Sequence, residues 1–179
     1  MKQILRRGIV LLCLCALCPL LAACGSQSQP AKDVPVDTIL TNIRAAYGDD
    51  YIPNSEIPAE LLESVYGLAA DMYVEIGAEM ALISTFPDTV IVAKAADGKG
   101  DAVEQALNTA RDNAISNTLQ YPMNVPKTNA TKVVRRGDYV AFLMVGAVGD
   151  FEDAQSAESK QFAEDEVQKG VDAFHASFQ

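Results

Sequence analysis

All four cysteines of this 179-residue chain, Cys13, Cys15, Cys18 and Cys24, fall within its first 24 positions. No disulfide can brace the remaining residues. With His175 as the only histidine, a tight zinc or copper site cannot be assembled there either, and the chain beyond Cys24 must hold together by burying apolar surface. The means are present: hydrophobic residues make up 49% of the chain, which excludes disorder, and its length suits one ordinary domain rather than two. Charge narrows the partners. With 24 acidic against 14 basic residues, the chain lacks the basic footprint that phosphate backbones require, so no nucleic acid is expected.

The leader has the three-part layout of an export signal: Lys2, Arg6 and Arg7 form a positive start, Ile9 to Cys18 is an unbroken apolar run, and Pro19 and small residues complete it. It is too short to stay in the membrane, since Ile9 to Cys24 is 16 residues and a spanning helix takes about 20. Cys13, Cys15 and Cys18 act there as small hydrophobes, and Arg6-Arg7 serve as an ordinary positive region rather than a twin-arginine signal. Leu21-Ala22-Ala23-Cys24 resembles the lipobox of bacterial lipoproteins. That resemblance implies cleavage after Ala23, a diacylglyceryl thioether on Cys24, and a signal peptide over 1–23. Plain secretion prefers an A-x-A site, and Leu21 occupies the first of those positions. Cleavage removes three basic residues and no acidic one, carrying the net charge from −10 to −13. The expected place is the cell membrane, lipid-anchored on the extracytoplasmic face.

Residues 24–35 form a tether, because Gly25 to Pro35 is polar and has no apolar periodicity. A flexible chain of about 11 residues reaches roughly 17 to 20 Å. Anionic headgroups repel the acidic domain beyond it, which holds that domain off the surface at the end of its tether.

Residues 36–179 read as a single α+β domain. Ile39, Leu40, Ile43 and Ala46 recur at helical spacing up to Gly48, and a second short helix runs from Ala59 to Tyr66 before Gly67. From Met72 to Leu82 the pattern alternates, putting Met72, Val74, Ile76, Ala78, Met80 and Leu82 on one face of a strand. Val90 to Ala93 supplies its partner after a Phe86-Pro87-Asp88 turn. Asp101 and Glu104 form a capping-box pattern opening a helix to about Leu119. Val133-Val134 and Tyr139 to Val148 flank Arg136-Gly137-Asp138 as a strand pair, the second apolar on both sides and therefore central. Asp150 and Asp153 are placed to cap a long last helix whose stripe is Val167, Val171, Phe174 and Phe178. The expectation is a β-β-α-β-β-α core with additional N-terminal helices and an antiparallel sheet of about four strands, ordered first, second, fourth, third.

The stretch Glu79 to Ser84, Thr89 to Ala95, Arg111, Tyr121 and Gly137 to Phe142 resembles the domain of unknown function 4358 family of bacterial lipoproteins, over roughly Leu61 to Gly146. The resemblance reinforces the lipobox and brings no activity or binding residues. Arg111 and Tyr121 read as a packed pair at a helix end, with the lining of a site as the alternative.

Searches for catalytic chemistry find little. His175 sits near the end of the last helix, where the helix dipole favours a cation. No G-x-S-x-G elbow exists and no serine has a lysine three positions on. Asp97 to Asp101 resembles part of a calcium loop, but the EF-hand register puts Ala95 and Ala106 where carboxylates belong, and Val103 spoils a dinucleotide fingerprint. The acidic run Glu164-Asp165-Glu166 reads as a solvated helix face. No metal, cofactor or catalytic residue is expected. The leading expectation is a non-enzymatic binding or accessory module at the cell envelope, with an envelope protein or wall component as partner. The alternative is a small-molecule binding module associated with transport, which a concave pocket lined by tyrosines would favour over a flat apolar patch.

Overall fold

The computed structural model describes residues 32–83 and 85–179; the expected signal peptide, Ala23, Cys24 and most of the expected tether lie outside the described residues. In chain order, α1 (Val36–Tyr47) leads through an edge strand β1 (Ser55–Glu56) and a short α2 (Ala59–Ser64) to β2 (Tyr73–Met80) and β3 (Thr89–Ala95). Then come α3 (Gly100–Ser116), α4 (Val125–Ala130), the hairpin of β4 (Lys132–Arg136) and β5 (Tyr139–Met144), and α5 (Ala157–Ala176). The sheet is antiparallel throughout, in the order β1-β2-β3-β5-β4. This is the α+β architecture the sequence predicts, with the four main strands in the expected order. The fifth strand, β1, is two residues long and carries no alternation to read.

Central position follows from composition. All six residues of β5 are buried, as are six of the seven in β3, so both strands are covered on both faces. On one face Val90, Val92, Tyr139, Ala141 and Leu143 pack under α1 and α5; on the other Ile91, Ala93, Val140, Phe142 and Met144 pack with Val103 and Leu107 of α3 and Leu62 of α2. Both clusters lie within Val34–Phe178, so the described part holds its own core. The hairpin turns at Gly137, whose φ of +60° in a two-residue connection is what a type II′ turn asks of glycine.

The polar side of β2 is a bed for α1. That helix begins after Pro35 with no side-chain cap of its own, and the Val36 N–H donates instead to Glu75 Oε1 at 2.8 Å. Arg44 near its other end pairs with Glu79. Between them Gly77 lets the helix approach, since a Cβ there would lie 3.1 Å from side-chain atoms of both Val36 and Leu40. Just ahead of α1, the Tyr139 hydroxyl donates to Asp33 Oδ1 and accepts from the Val34 N–H, laying residues 33 and 34 of the tether segment along the domain.

Four local expectations need correction. The alternation of the first long strand breaks at Val74: a bulge between Tyr73 and Glu75 leaves Val74 66% exposed, and Leu82 lies exposed beyond the strand end. Asp101 and Glu104 form no capping box, because both carboxylates pair with Arg135 of β4, which ties the start of α3 to the sheet. The last helix is capped by Ser156, whose Oγ accepts from the Ser159 N–H at 3.0 Å; Asp153 serves the preceding turn by accepting from the Gln155 N–H. Glu166 is buried rather than solvated, holding the Ala147 N–H and Lys169.

Tyr47 welds α1 to α5. Its hydroxyl donates to the Glu166 carbonyl and accepts from the Gly170 N–H, both at 2.9 Å, and so bridges one i to i+4 step of the helix ladder. Position 170 is glycine for a reason: a Cβ there would lie 2.7 Å from the Tyr47 oxygen. Burial pushes the Tyr47 pKa up, so the hydroxyl stays a donor. Tyr47→Phe is expected to lower stability by about 1–2 kcal/mol, read as a shifted urea midpoint at unchanged slope.

Candidate binding groove

The second face of the sheet is incompletely roofed, because α2 is a six-residue helix beside the 17 residues of α3. How α2 ends sets one wall. Gly67, with φ +69°, closes it in a Schellman turn, its N–H bonding to the Glu63 carbonyl and that of Leu68 to the Leu62 carbonyl. Tyr66 is thereby turned onto the sheet, where its ring meets Phe142 edge-on at 5.7 Å and its hydroxyl approaches Thr89 Oγ1 at 3.4 Å. Burial raises the Tyr66 pKa, opposed by the Thr89 contact.

Between this wall and the C-terminal half of α3 opens a groove of about 430 Å³. Phe142 and Met144 of β5 form its floor, Ala110, Asn113 and Ala114 of α3 the opposite wall, and the segment after α3 its lip. Leu119 stands 92% exposed on that lip, beside exposed Tyr121 and Val65. A shallower trough continues past Val65 and Tyr66 along α3 to Ala102.

Part of the lining is polar. Asn124 precedes α4 and Thr128 lies within it, one helical turn on, and both are buried and line the groove. Behind them Lys127, 2% exposed, donates to both oxygens of Asp88 at 2.9 Å; Asp88 itself is fully buried. Desolvation holds the Asp88 carboxyl above the ordinary carboxylate range, and the Lys127 ammonium opposes that shift.

The structure does not bring together the residues singled out from the sequence. Tyr121 lines the groove, whereas Arg111 is not among the lining residues and donates to its neighbour Asp112. His175 is half-buried in the last turn of α5, on the other face of the sheet. Tyr66, Asn124 and Thr128 were not legible as site residues. For Asn124 one signal existed: an asparagine two positions ahead of Pro126 reads as a helix cap, yet its side chain makes no cap bond and is left for other use. Among the described residues no group of three metal-ligating side chains is found, and no residue lining the groove is charged.

Helices on both faces of an antiparallel sheet, with a groove beneath an incomplete roof, define an α+β domain with a concavity on one face. The family described as domain of unknown function (DUF4358) matches residues 46–145, more than half of the chain, and the chain belongs to that family. The match contains every residue that lines the groove and omits nearly all of α1 and α5. No curated protein and no solved structure matches the chain.

Proposed function

We propose that this protein is a lipid-anchored extracytoplasmic lipoprotein of the bacterial cell envelope, and that its domain is a non-enzymatic binding or accessory module working through the groove between α2 and α3. The observation that carries the binding role is a concave, uncharged groove with exposed Val65, Leu119 and Tyr121 at its mouth and buried polar groups in its lining. The lipobox Leu21 to Cys24 carries the location, and the segment to Lys32 is long enough to hold the groove within a few nanometres of the bilayer. A lining without carboxylate, imidazole, amine or thiol offers no acid–base or nucleophilic pair of ordinary reactivity, which favours binding over turnover. Concavity also favours the small-molecule form of this reading over a flat protein-docking patch.

A photoreactive phenylalanine at Leu119, illuminated in intact cells, tests the role. An adduct is expected from position 119, identified by mass spectrometry, and none from Glu164 on the exposed side of α5. Absence of any adduct at 119, or equal yields from both positions, refutes a binding role for the groove.

A further inference from the structure

Two polar atoms of residues that line the groove, Asn124 Oδ1 and Thr128 Oγ1, have no hydrogen-bond partner among the described residues. Their residues are only 4% and 2% exposed. Buried side-chain oxygens are nearly always paired, because leaving one unmet forfeits its hydration without return. The orientation of Asn124 is fixed: its Nδ2 donates to the Thr85 carbonyl at 2.7 Å, which leaves Oδ1 as an acceptor. Five hydroxyls in or at the ends of helices show how Thr128 could have been satisfied. Ser64, Thr109, Ser116, Thr131 and Ser177 each donate back to the carbonyl four residues earlier, the ordinary way for a helical hydroxyl to satisfy itself. Thr128 makes no such bond, although it too lies in a helix.

The rest of the groove says what meets these two atoms. Phe142, Met144, Tyr66 and Ala114 give it an apolar body, and its volume falls within the roughly 300–1,000 Å³ of small-molecule sites. Among the described residues no side chain in the lining is charged, so an ionised ligand would lose its hydration with no counter-charge to replace it. The negative balance of the chain adds a further bias against anions.

Resting on the binding-module reading above, we propose that the groove takes an uncharged, largely apolar small molecule whose buried end carries an N–H or O–H donor. Asn124 Oδ1 accepts from that donor, and Thr128 Oγ1 completes the polar contact beside it. The apolar body lies over Phe142 and Met144, and the lip at Leu119 and Tyr121 covers what remains exposed.

The test uses the chain from residue 24 onward with Cys24→Ser, which keeps every described residue. Three probes share one framework: N-phenyl-1-naphthylamine is neutral with a single N–H, its 8-sulfonate (1-anilinonaphthalene-8-sulfonate) adds a charge, and 1-benzylnaphthalene has CH2 in place of the N–H. The amine is expected to bind saturably, one per chain, with enhanced fluorescence. The sulfonate should bind at least tenfold more weakly, and 1-benzylnaphthalene should need a concentration about five- to tenfold higher to compete. Ala114→Trp, which fills the groove, should weaken amine binding at least tenfold; Asn113→Trp, at an exposed position on the same wall, serves if the first variant does not fold. No binding of the amine, equal binding of the sulfonate, or indifference to both tryptophan variants overturns the ligand class. If the amine fails while an adduct still forms at Leu119, the ligand class falls and the binding module stands, with a protein as occupant. If both fail, both fall.

Discussion

Replacing Lys127 with methionine should destabilise the domain by about 3–5 kcal/mol, the usual consequence of removing one partner of a buried ion pair. The methionine fills the space of the lysine stem, so the loss is electrostatic: it strands Asp88, fully buried, with no cation. The effect depends on pH with a definite sign. Burial already holds the Asp88 carboxyl above its ordinary range and Lys127 pulls it down, so without Lys127 it rises further. An acid whose pKa is higher folded than unfolded binds its proton more tightly in the fold. Its contribution to stability is fully present below the unfolded pKa and is lost as pH rises through the folded one. The Lys127→Met penalty should therefore be smallest in acid and grow towards neutrality. Lys127→Met combined with Asp88→Asn removes the stranded charge and should recover most of the loss, with a flatter pH profile. Urea titrations at a series of pH values measure all of this. A penalty under about 1 kcal/mol, or one independent of pH, would show that the pair does not act as an isolated buried charge couple.

Nothing local announces that pair. Val125-Pro126-Lys127-Thr128-Asn129-Ala130 has no helical apolar stripe, and a lone lysine among prolines and polar residues reads as solvated; its burial is decided by Asp88, 39 residues away. The same distance hides the groove. Tyr66, Thr128 and Phe142 come from three separate segments, and only the packing of α2 beside α3 makes them neighbours. The capping assignments failed for a related reason: Asp101 and Glu104 fit a local motif, but Arg135 across the sheet is the stronger partner for both carboxylates. What was legible rests on burial alone. The two-sided apolar character of Val140 to Met144 requires a central strand, and right placement of that strand fixes the order of the other long ones. Where alternation was the guide it held from Glu75 to Met80 and broke at the Val74 bulge, which sequence periodicity has no means to register.

Cys24→Ser should convert the protein from membrane-bound to soluble. Burial of acyl chain contributes about 0.8 kcal/mol per methylene; one chain binds only marginally, and the two chains of a diacylglyceryl group make anchoring stable. Other attachments are weak by comparison. Among the described residues no helix is long and apolar enough to cross a membrane, and the acidic balance of the chain opposes adhesion to anionic headgroups. Without the thiol no thioether forms, so any molecules cleaved by another peptidase should appear in the soluble fraction with the groove intact. Uncleaved precursor can stay bound through its leader, which makes the cleaved species the informative one. Cells expressing either version are fed a clickable fatty acid, fractionated and washed with salt. The wild type should carry label and sediment with membranes; the variant should carry none. Equal labelling of the two, or a cleaved Cys24→Ser chain that resists the wash, would refute the lipid anchor, and the binding groove would then have to be placed in the envelope by some other contact.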